Sequence, residues 1–240
     1  MKKYYLLRFS WLWLTLFMSI GLAWHLLAYF DFGYAIWYEF GGIKETIQLY
    51  APQNNFKQGF ENVAPALQIE AFHHIVQAIQ NDGTGLASIS YPLNGQLVPL
   101  LHQEEIIHLQ DVANLISYLN NVFYTVIFLW LLITGFLIIA KINLTSFRYC
   151  SFVFLAGITL ISAFILTLGA TKIFYQFHIW IFPAENKWFF YYQDSLMSTM
   201  MKAPDIFGYI GASLALTAII IFIILISLIT KIYFIFAKKA

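Results

Sequence analysis

The chain has 240 residues, of which 60% are hydrophobic and only 10% are charged, and its formal net charge is +1. This composition excludes an ordinary soluble domain and is typical of an integral membrane protein. The small net charge argues against a nucleic-acid partner, because phosphate recognition needs a basic patch. The single cysteine, Cys150, excludes an internal disulfide framework.

Four apolar stretches are long enough to cross a bilayer, which takes about 20 residues. We predict transmembrane helices at residues 9–30, 122–140, 149–169 and 209–236. The first stretch is longer than the core of a signal peptide, and no small-residue cleavage site follows it. We therefore expect it to remain as a membrane anchor.

The basic residues predict the orientation of these helices, because short cytoplasmic loops are rich in lysine and arginine. Eight of the 13 basic residues lie before the first span, between the second and third, or at the end of the fourth: Lys2, Lys3, Arg8, Lys141, Arg148, Lys231, Lys238 and Lys239. All 12 acidic residues lie in the other two segments. We therefore predict that both termini are cytoplasmic and that residues 31–121 and 170–208 are extracytoplasmic.

The first outer segment, residues 31–121, is long enough for a small cap. Apolar side chains at helical spacing predict an amphipathic helix at residues 66–80. Its apolar face would carry Ile69, Phe72, Ile75, Val76 and Ile79.

The rest of the cap combines a strand with a second helix. The alternation in "LASISY" predicts a short strand at residues 86–91, and Asn94-Gly95 is a turn signal. A helix begins near Gln103, with acidic residues in its first turn, and runs into the second span.

The second outer segment, residues 170–208, is dense in tryptophan, tyrosine and phenylalanine. Tryptophan and tyrosine favour the headgroup region of a bilayer, so we expect this segment to lie along the outer membrane surface. The predicted fold class is an all-α membrane protein with four transmembrane helices and a small extracytoplasmic cap.

The stretch "EEIIHLQDV" places ionisable side chains just ahead of the second span. Glu105 precedes His108 by three residues, and Asp111 follows it by three, so the three lie near one face of a helix. Asp111 could fix the tautomer of His108 and leave its other nitrogen free as a base. Alternatively, these residues are the solvated polar face of a helix, which is the more common meaning of an isolated H-x-x-D pattern.

A second histidine, His178 in "FYQFHIWIF", lies beyond the outer end of the third span. Alone it could be an interfacial anchor, but its position on the same membrane side as His108 allows the two rings to meet. Asp194 and Ser195, in "YYQDSL", could complete a pocket. A nucleophilic serine would be unusual here because no G-x-S-x-G surrounds it, and Asp194 could simply cap a surface helix.

The other histidines offer weaker candidates. His25 lies within the first span, where a polar group is a functional candidate or a hydrogen-bonding partner of another helix. His73 and His74 fall on the polar face of the cap helix, where we expect them to be solvated. No zinc-binding spacing is present, so we predict no metal and no cofactor.

The two histidine stretches, "LHQEEIIHLQDVANLI" and "FHIWIFPAENKWFFYYQDSL", resemble the signatures of the Lit family of bacterial lipoprotein intramolecular transacylases. The four-span topology is also similar, so the resemblance covers most of the chain. Departures from the family pattern fall at Glu185-Asn186, Tyr191-Tyr192 and Ile181.

The resemblance implies an enzyme of the bacterial cytoplasmic membrane whose active site faces the extracytoplasmic side. Such enzymes move the sn-2 acyl chain of a diacylglyceryl-modified cysteine to the amino group of that same cysteine, which yields a lyso-form lipoprotein. The implied partners are diacylglyceryl-modified lipoproteins and membrane lipids, and no cofactor is required. The oligomeric state is left open.

The resemblance also assigns roles to residues. His108, oriented by Asp111, would be the base, and His178 the acid or oxyanion partner, although these roles could be reversed. Supporting or substrate-binding residues would be Glu105, Tyr175, Trp180, Trp188, Asp194 and Ser195.

Three other functions stay open at this point. The chain could be another enzyme that modifies acyl lipids, or a non-enzymatic scaffold or lipid-binding protein of the same shape. It could also be a haem or quinone protein in which His25 is paired with His108 or His178.

Overall fold

The computed structural model describes residues 4–142 and 147–238 and is mostly helical. Short 3₁₀ turns lie at Asp31–Gly33, Ala51–Gln53, Phe60–Asn62 and Leu86–Ser88. The longer elements, in chain order, are α1 (Tyr5–Tyr29), α2 (Tyr34–Phe40), α3 (Ile43–Tyr50), α4 (Pro65–Gln80), β1 (Ser90–Leu93), β2 (Gln96–Pro99), α5 (Gln103–Ile139), α6 (Phe147–Leu168), α7 (Ala170–Ile181), α8 (Leu196–Met200) and α9 (Asp205–Lys238).

The chain divides into two compact units. The first comprises Met1–Leu26, Leu119–Ala170 and Leu214–Ala240. The second comprises Leu27–Tyr118 and Thr171–Ser213.

Three helices in the described part of the chain are long and apolar enough to cross a membrane. Their apolar stretches lie in Tyr5–Tyr29, Gln103–Ile139 and Asp205–Ile235, where we predicted the first, second and fourth spans. The predicted span at 149–169 falls on α6, whose described apolar stretch, Tyr149–Ile161, is shorter. The fold is consistent with an all-α membrane protein, and the count of four spans and the orientation stay predictions.

The first unit is held together by an apolar cluster and by two tryptophan–threonine hydrogen bonds. The indole nitrogen of Trp11 donates to Thr134 Oγ1 at 3.0 Å, and that of Trp130 donates to Thr15 Oγ1 at 2.8 Å. These bonds run in opposite directions between α1 and α5, so each helix supplies one donor and one acceptor. The buried cluster around them contains Trp11, Leu12, Trp130, Leu137, Ile142, Cys150, Phe154, Phe222, Ile226 and Ile229.

The predicted cap helix is confirmed as α4 in the second unit. Proline occupies its first turn, where the missing N–H costs no helical hydrogen bond. Phe72, Ile75 and Val76 are buried as expected, whereas Ile69 and Ile79 are only partly buried. The Phe72 ring stacks on Tyr34, with centroids 3.9 Å apart.

The predicted strand at residues 86–91 is wrong in its bounds. Leu86–Ser88 form a 3₁₀ turn after Gly85, whose φ of 95° suits glycine, and the strand begins only at Ser90. The Asn94-Gly95 turn is confirmed: both residues have positive φ and connect β1 to β2 as an antiparallel hairpin.

Candidate active site

Two buried imidazoles meet in the second unit, as predicted. His108 lies in the second turn of α5 and His178 in the last turn of α7, and their ring centroids are 6.0 Å apart. Each side chain belongs to a residue that is only 8% exposed. Both histidines lie outside the spans predicted at residues 122–140 and 149–169, and their catalytic roles stay predictions.

The start of α5, which positions His108, is fixed by Glu105. One carboxylate oxygen accepts the backbone N–H of His102 at 2.5 Å, so Glu105 caps the helix that it belongs to. The other oxygen accepts the hydroxyl of Ser195, and that hydroxyl accepts the backbone N–H of Ser198 at 2.8 Å. The first turns of α5 and α8 are thereby joined through one buried carboxylate.

Burial raises the pKa of Glu105, and the hydrogen bonds from Ser195 and His102 oppose that rise. The fully buried Ser195 hydroxyl is occupied by its bond to Glu105 and by the bond that it accepts from the Ser198 N–H. A serine held in this way is a helix cap rather than a free nucleophile, in agreement with the missing G-x-S-x-G pattern.

The tautomer of His178 follows from its hydrogen bond. Its Nδ1 lies 2.7 Å from the backbone carbonyl oxygen of Phe174, which can only accept, so Nδ1 carries the proton. Its Nε2 is then the basic nitrogen. Burial lowers the pKa of His178, against the opposing effect of the Phe174 carbonyl, so the ring is neutral near pH 7.

His108 differs from His178 because its Nδ1 is buried and has no hydrogen-bond partner among the described residues. Burial is the main reason that its pKa falls to about 4; the charge of His178 lowers it further, and that of Asp111 raises it. His108 therefore also stays neutral near pH 7. His102 Nε2 is also unsatisfied, but His108 Nδ1 belongs to a ring that lies beside a second imidazole, and there a substrate group could supply the missing contact.

The predicted hydrogen bond between Asp111 and His108 is wrong. The Oδ2 atom of Asp111 instead accepts the side-chain amide of Asn186 at 2.7 Å, and the partly exposed carboxylate acts on His108 only through its charge. A second contact nearby joins Lys187 to Glu104 at 3.0 Å. Asn186 was not among the predicted site residues; the signals for it were its place in the stretch that resembles the family signature and the short polar run between two aromatic runs.

Aromatic rings surround the imidazoles. The Phe174 ring lies 4.1 Å from His178, and Trp188 lies 4.8 Å from it on another side. The Phe182 ring is 5.0 Å from His108 and 5.2 Å from His178. These apolar walls account for the burial that keeps both rings neutral.

The other predicted site residues lie at different distances from the pair. The Tyr175 ring is 5.5 Å from Trp188 and so belongs to the outer aromatic wall. Asp194 accepts the side-chain amide of Asn55 at 2.9 Å and ties two loops together. Trp180 is 76% exposed and so is not part of the buried enclosure.

The remaining histidines have ordinary structural surroundings. His73 is partly solvated, with its side chain 43% exposed, and its Nδ1 also lies 2.9 Å from both carboxylate oxygens of Asp31. His74 is half-exposed, as expected, and His25 packs against the ring of Phe123 in the first unit. No group of three or more potential metal ligands occurs among residues 4–142 and 147–238.

The site can therefore supply a fixed base, a second neutral imidazole and a dry aromatic enclosure. This combination suits proton transfer and stabilisation of a developing oxyanion. It does not contain a free nucleophile among the residues described above.

Comparison with known proteins gives two matches. The family described as "Lipoprotein intramolecular transacylase Lit" matches residues 9–203. The fold is similar to the in meso structure of the membrane integral lipoprotein intramolecular transacylase Lit from Bacillus cereus with a histidine-to-arginine mutation, with a TM-score of 0.66 and 15% identity over 98% of this chain and 92% of that chain. At that identity the likeness is one of fold. No curated protein matches.

Proposed function

Since the chain belongs to the lipoprotein intramolecular transacylase Lit family, a family of enzymes, we propose that it moves the sn-2 acyl chain of a diacylglyceryl-cysteine to the α-amino group of that cysteine. The observation that carries this proposal is the pair of buried, neutral imidazoles 6.0 Å apart. One reacting ester could reach both rings at that spacing.

His178 is the base in this proposal, which reverses the first assignment made from the sequence. Its Nδ1–H is held by the Phe174 carbonyl, so Nε2 always presents a lone pair. The substrate amine has an ordinary pKa of about 8, so a useful fraction is neutral and able to attack near pH 7. His178 then removes the proton that the amine loses as the C–N bond forms.

His108 stabilises the oxyanion. With a pKa of about 4 it stays an uncharged imidazole, which can donate one N–H to the ester oxygen as negative charge develops there. A neutral histidine has this electrophilic role in other enzymes that act on carbonyl groups.

The reaction balances without any co-reactant. The amine nitrogen bonds to the ester carbonyl carbon, the ester C–O bond breaks, and His178 returns the amine's proton to the glycerol oxygen. Both reacting groups belong to one lipoprotein, so the substrate itself brings them close together. The enzyme needs only to orient them and to keep water out.

We further propose that the site lies on the extracytoplasmic side of the bacterial cytoplasmic membrane. The distribution of lysine and arginine along the chain supports both termini being cytoplasmic. Mature lipoproteins carry their acyl chains in the lipid, so a buried aromatic site beside a long apolar helix suits such a substrate.

The test is expression of the chain in a bacterial strain that lacks its own N-acylation enzyme. Mass spectrometry of lipoprotein N-termini should show an N-acyl cysteine bearing a monoacylglyceryl group. The variants H178A and H108A should accumulate to wild-type levels but yield the unconverted diacylglyceryl form.

Two outcomes would overturn the proposal. A wild-type chain that leaves the lipoproteins unchanged, although folded in the membrane, would favour a scaffold or another acyl-lipid enzyme. Full conversion by both histidine variants would show that acyl transfer does not use these rings.

A further inference from the structure

The segment of residues 182–190, which we call the roof segment, covers the imidazole pair. It connects α7 to the loop before α8, and its two end residues, Phe182 and Phe190, are each 8% exposed. Their rings lie 5.0 and 6.3 Å from the ring of His108. The rings that would meet the ester are therefore enclosed by the ends of this segment.

The middle of the roof segment is fastened to α5 by two polar contacts. The side-chain amide of Asn186 donates to Asp111 Oδ2 at 2.7 Å, and Lys187 Nζ lies 3.0 Å from Glu104 Oε2. Glu104 and Asp111 lie on either side of His108 along the helix, so the fastening spans the site.

The two fastenings differ in strength. The side chains of Lys187 and Glu104 are each about half exposed, and surface ion pairs of this kind contribute little to stability. The Asn186–Asp111 bond is partly buried and has a charged acceptor, which makes it the stronger of the two. The position of the roof segment therefore depends mainly on Asn186.

We propose that Asn186 is a positioning residue: by binding Asp111 it closes the roof segment over the two histidines, and it releases that contact each time a substrate enters. This inference rests on the proposed acyl transfer. A substrate with two acyl chains cannot reach the rings of two residues that are each only 8% exposed unless part of the enclosure moves. Closure afterwards holds the ester against both rings and keeps out water, which would otherwise compete with the amine.

The proposal gives Asp111 a different role from the one predicted from the sequence. Its carboxylate would serve the reaction as the acceptor that holds Asn186, and not as a partner in proton transfer. An asparagine at position 111 could still accept a hydrogen bond from Asn186, whereas an aspartate at position 186 would repel Asp111. The two roles are therefore separable by exchanging the residues.

The first experiment compares N186D, D111N and the exchanged double variant D111N/N186D. Conversion of a synthetic diacylglyceryl lipopeptide in detergent micelles is followed by mass spectrometry. Loss of a hydrogen bond to a charged group predicts that N186D is slower by roughly 10- to 100-fold. The rate of D111N should lie within about threefold of the wild-type rate. The double variant should do the same, because it restores the hydrogen bond with donor and acceptor exchanged.

The opposite pattern would overturn the proposal. If D111N and the double variant are both as slow as N186D, the carboxylate at position 111 is itself required for the chemistry. If N186D is as fast as wild type, the contact has no part in the reaction.

The second experiment tests the release. Cysteines in the double variant N186C/D111C are joined by a short bis-methanethiosulfonate reagent and later freed with dithiothreitol; N186C alone, treated identically, is the control. We expect conversion to stop in the joined protein and to return on reduction to the slower rate that the untreated double variant shows without the Asn186–Asp111 bond. A joined protein that converts the lipopeptide as fast as its reduced form would rule out the opening step.

Failure of this inference can be told apart from failure of the proposed function. Wild type and the reduced double-cysteine protein each report acyl transfer directly. If neither protein forms the N-acyl product, the proposed function is wrong. If both proteins form the product and the joined protein forms it as well, the proposed function stands and only the opening of the roof segment is wrong.

Discussion

The buried polar side chains of the described residues differ in kind between the two units: those of the first are hydroxyls that bond to an indole or to their own helix, whereas those of the second include the ionisable Glu105, His108 and His178. In the first unit, Thr15 and Ser19 donate to backbone carbonyls one helical turn earlier, at 2.8 and 2.7 Å. In the second unit, Glu105 binds a hydroxyl 90 residues away, and His108 Nδ1 has no described partner. Local bonds of the first kind can form in almost any helix, whereas the second kind depends on the tertiary structure.

This difference separates packing from chemistry. A hydroxyl that bonds to its own helix satisfies a polar group at no cost to the fold and carries no information about a reaction. A buried imidazole without a partner costs free energy, so its retention is explained best by a ligand that supplies the missing contact. The predictions below test this distinction, beginning with the largest expected effect.

Replacing His178 by alanine should lower the rate of acyl transfer by roughly 10³-fold, because general-base catalysis of this kind contributes about 10²- to 10⁴-fold. The measurement is conversion of the diacylglyceryl lipopeptide under single-turnover conditions. The exposed His74, which lies outside the site, gives the matched control: H74A should keep the wild-type rate. Equal rates for the two variants would remove His178 from the mechanism.

Acid should destabilise the protein through His108. Its pKa is about 4 in the folded chain and about 6.5 when unfolded, so between these values the unfolded state binds the additional proton. The free energy of unfolding should therefore fall by about 3 kcal/mol as the pH drops from 6.5 to 4, and His108 should contribute no further change above pH 6.5.

The variant H108Q isolates this contribution. Carboxyl groups such as Glu105 titrate in both proteins, so the difference between wild type and H108Q at each pH reports His108 alone. Denaturant unfolding in detergent at several pH values measures it. If the difference in the free energy of unfolding between wild type and H108Q is the same at pH 6.5 and pH 4, the pKa of His108 is not lowered in the folded chain.

Much of this arrangement could be predicted from the sequence because it is local. The apolar runs of α1, α5 and α9 and the acidic first turn of α5 are each visible within one stretch of chain. The meeting of His108 and His178 could also be predicted, since the predicted topology puts both on the same membrane side.

The errors concern partners that lie far apart along the chain. The sequence spacing places Asp111 near His108. It does not indicate that the Asp111 carboxylate accepts a hydrogen bond from Asn186, 75 residues away. His73 likewise has a partner that spacing does not indicate, Asp31, which is 42 residues away. Which partner is chosen depends on the path of a loop, and loops have no hydrophobic periodicity from which that path could be derived.

Substitution of Glu105 should measure the cost of an unsatisfied tertiary contact. E105A leaves the Ser195 hydroxyl and the His102 N–H without an acceptor, so the free energy of unfolding should fall by about 2 kcal/mol. E105Q keeps one oxygen and should lose about half as much. The neighbouring control E104A removes only an exposed ion pair and should change little. If E104A and E105A were equally destabilised, the buried carboxylate would have no special part in the fold.

The smallest effect should come from the first unit. T15V removes the acceptor of the Trp130 indole while keeping the shape of the side chain, so unfolding in detergent should become easier by about 1 kcal/mol. T230V is the matched control, because Thr230 bonds only to the carbonyl of Ile226 in its own helix. Acyl transfer should stay at the wild-type rate in both variants. A rate of acyl transfer in T15V clearly below that of T230V would mean that buried hydroxyls in the first unit also support the chemistry, and the distinction between the two units would be lost.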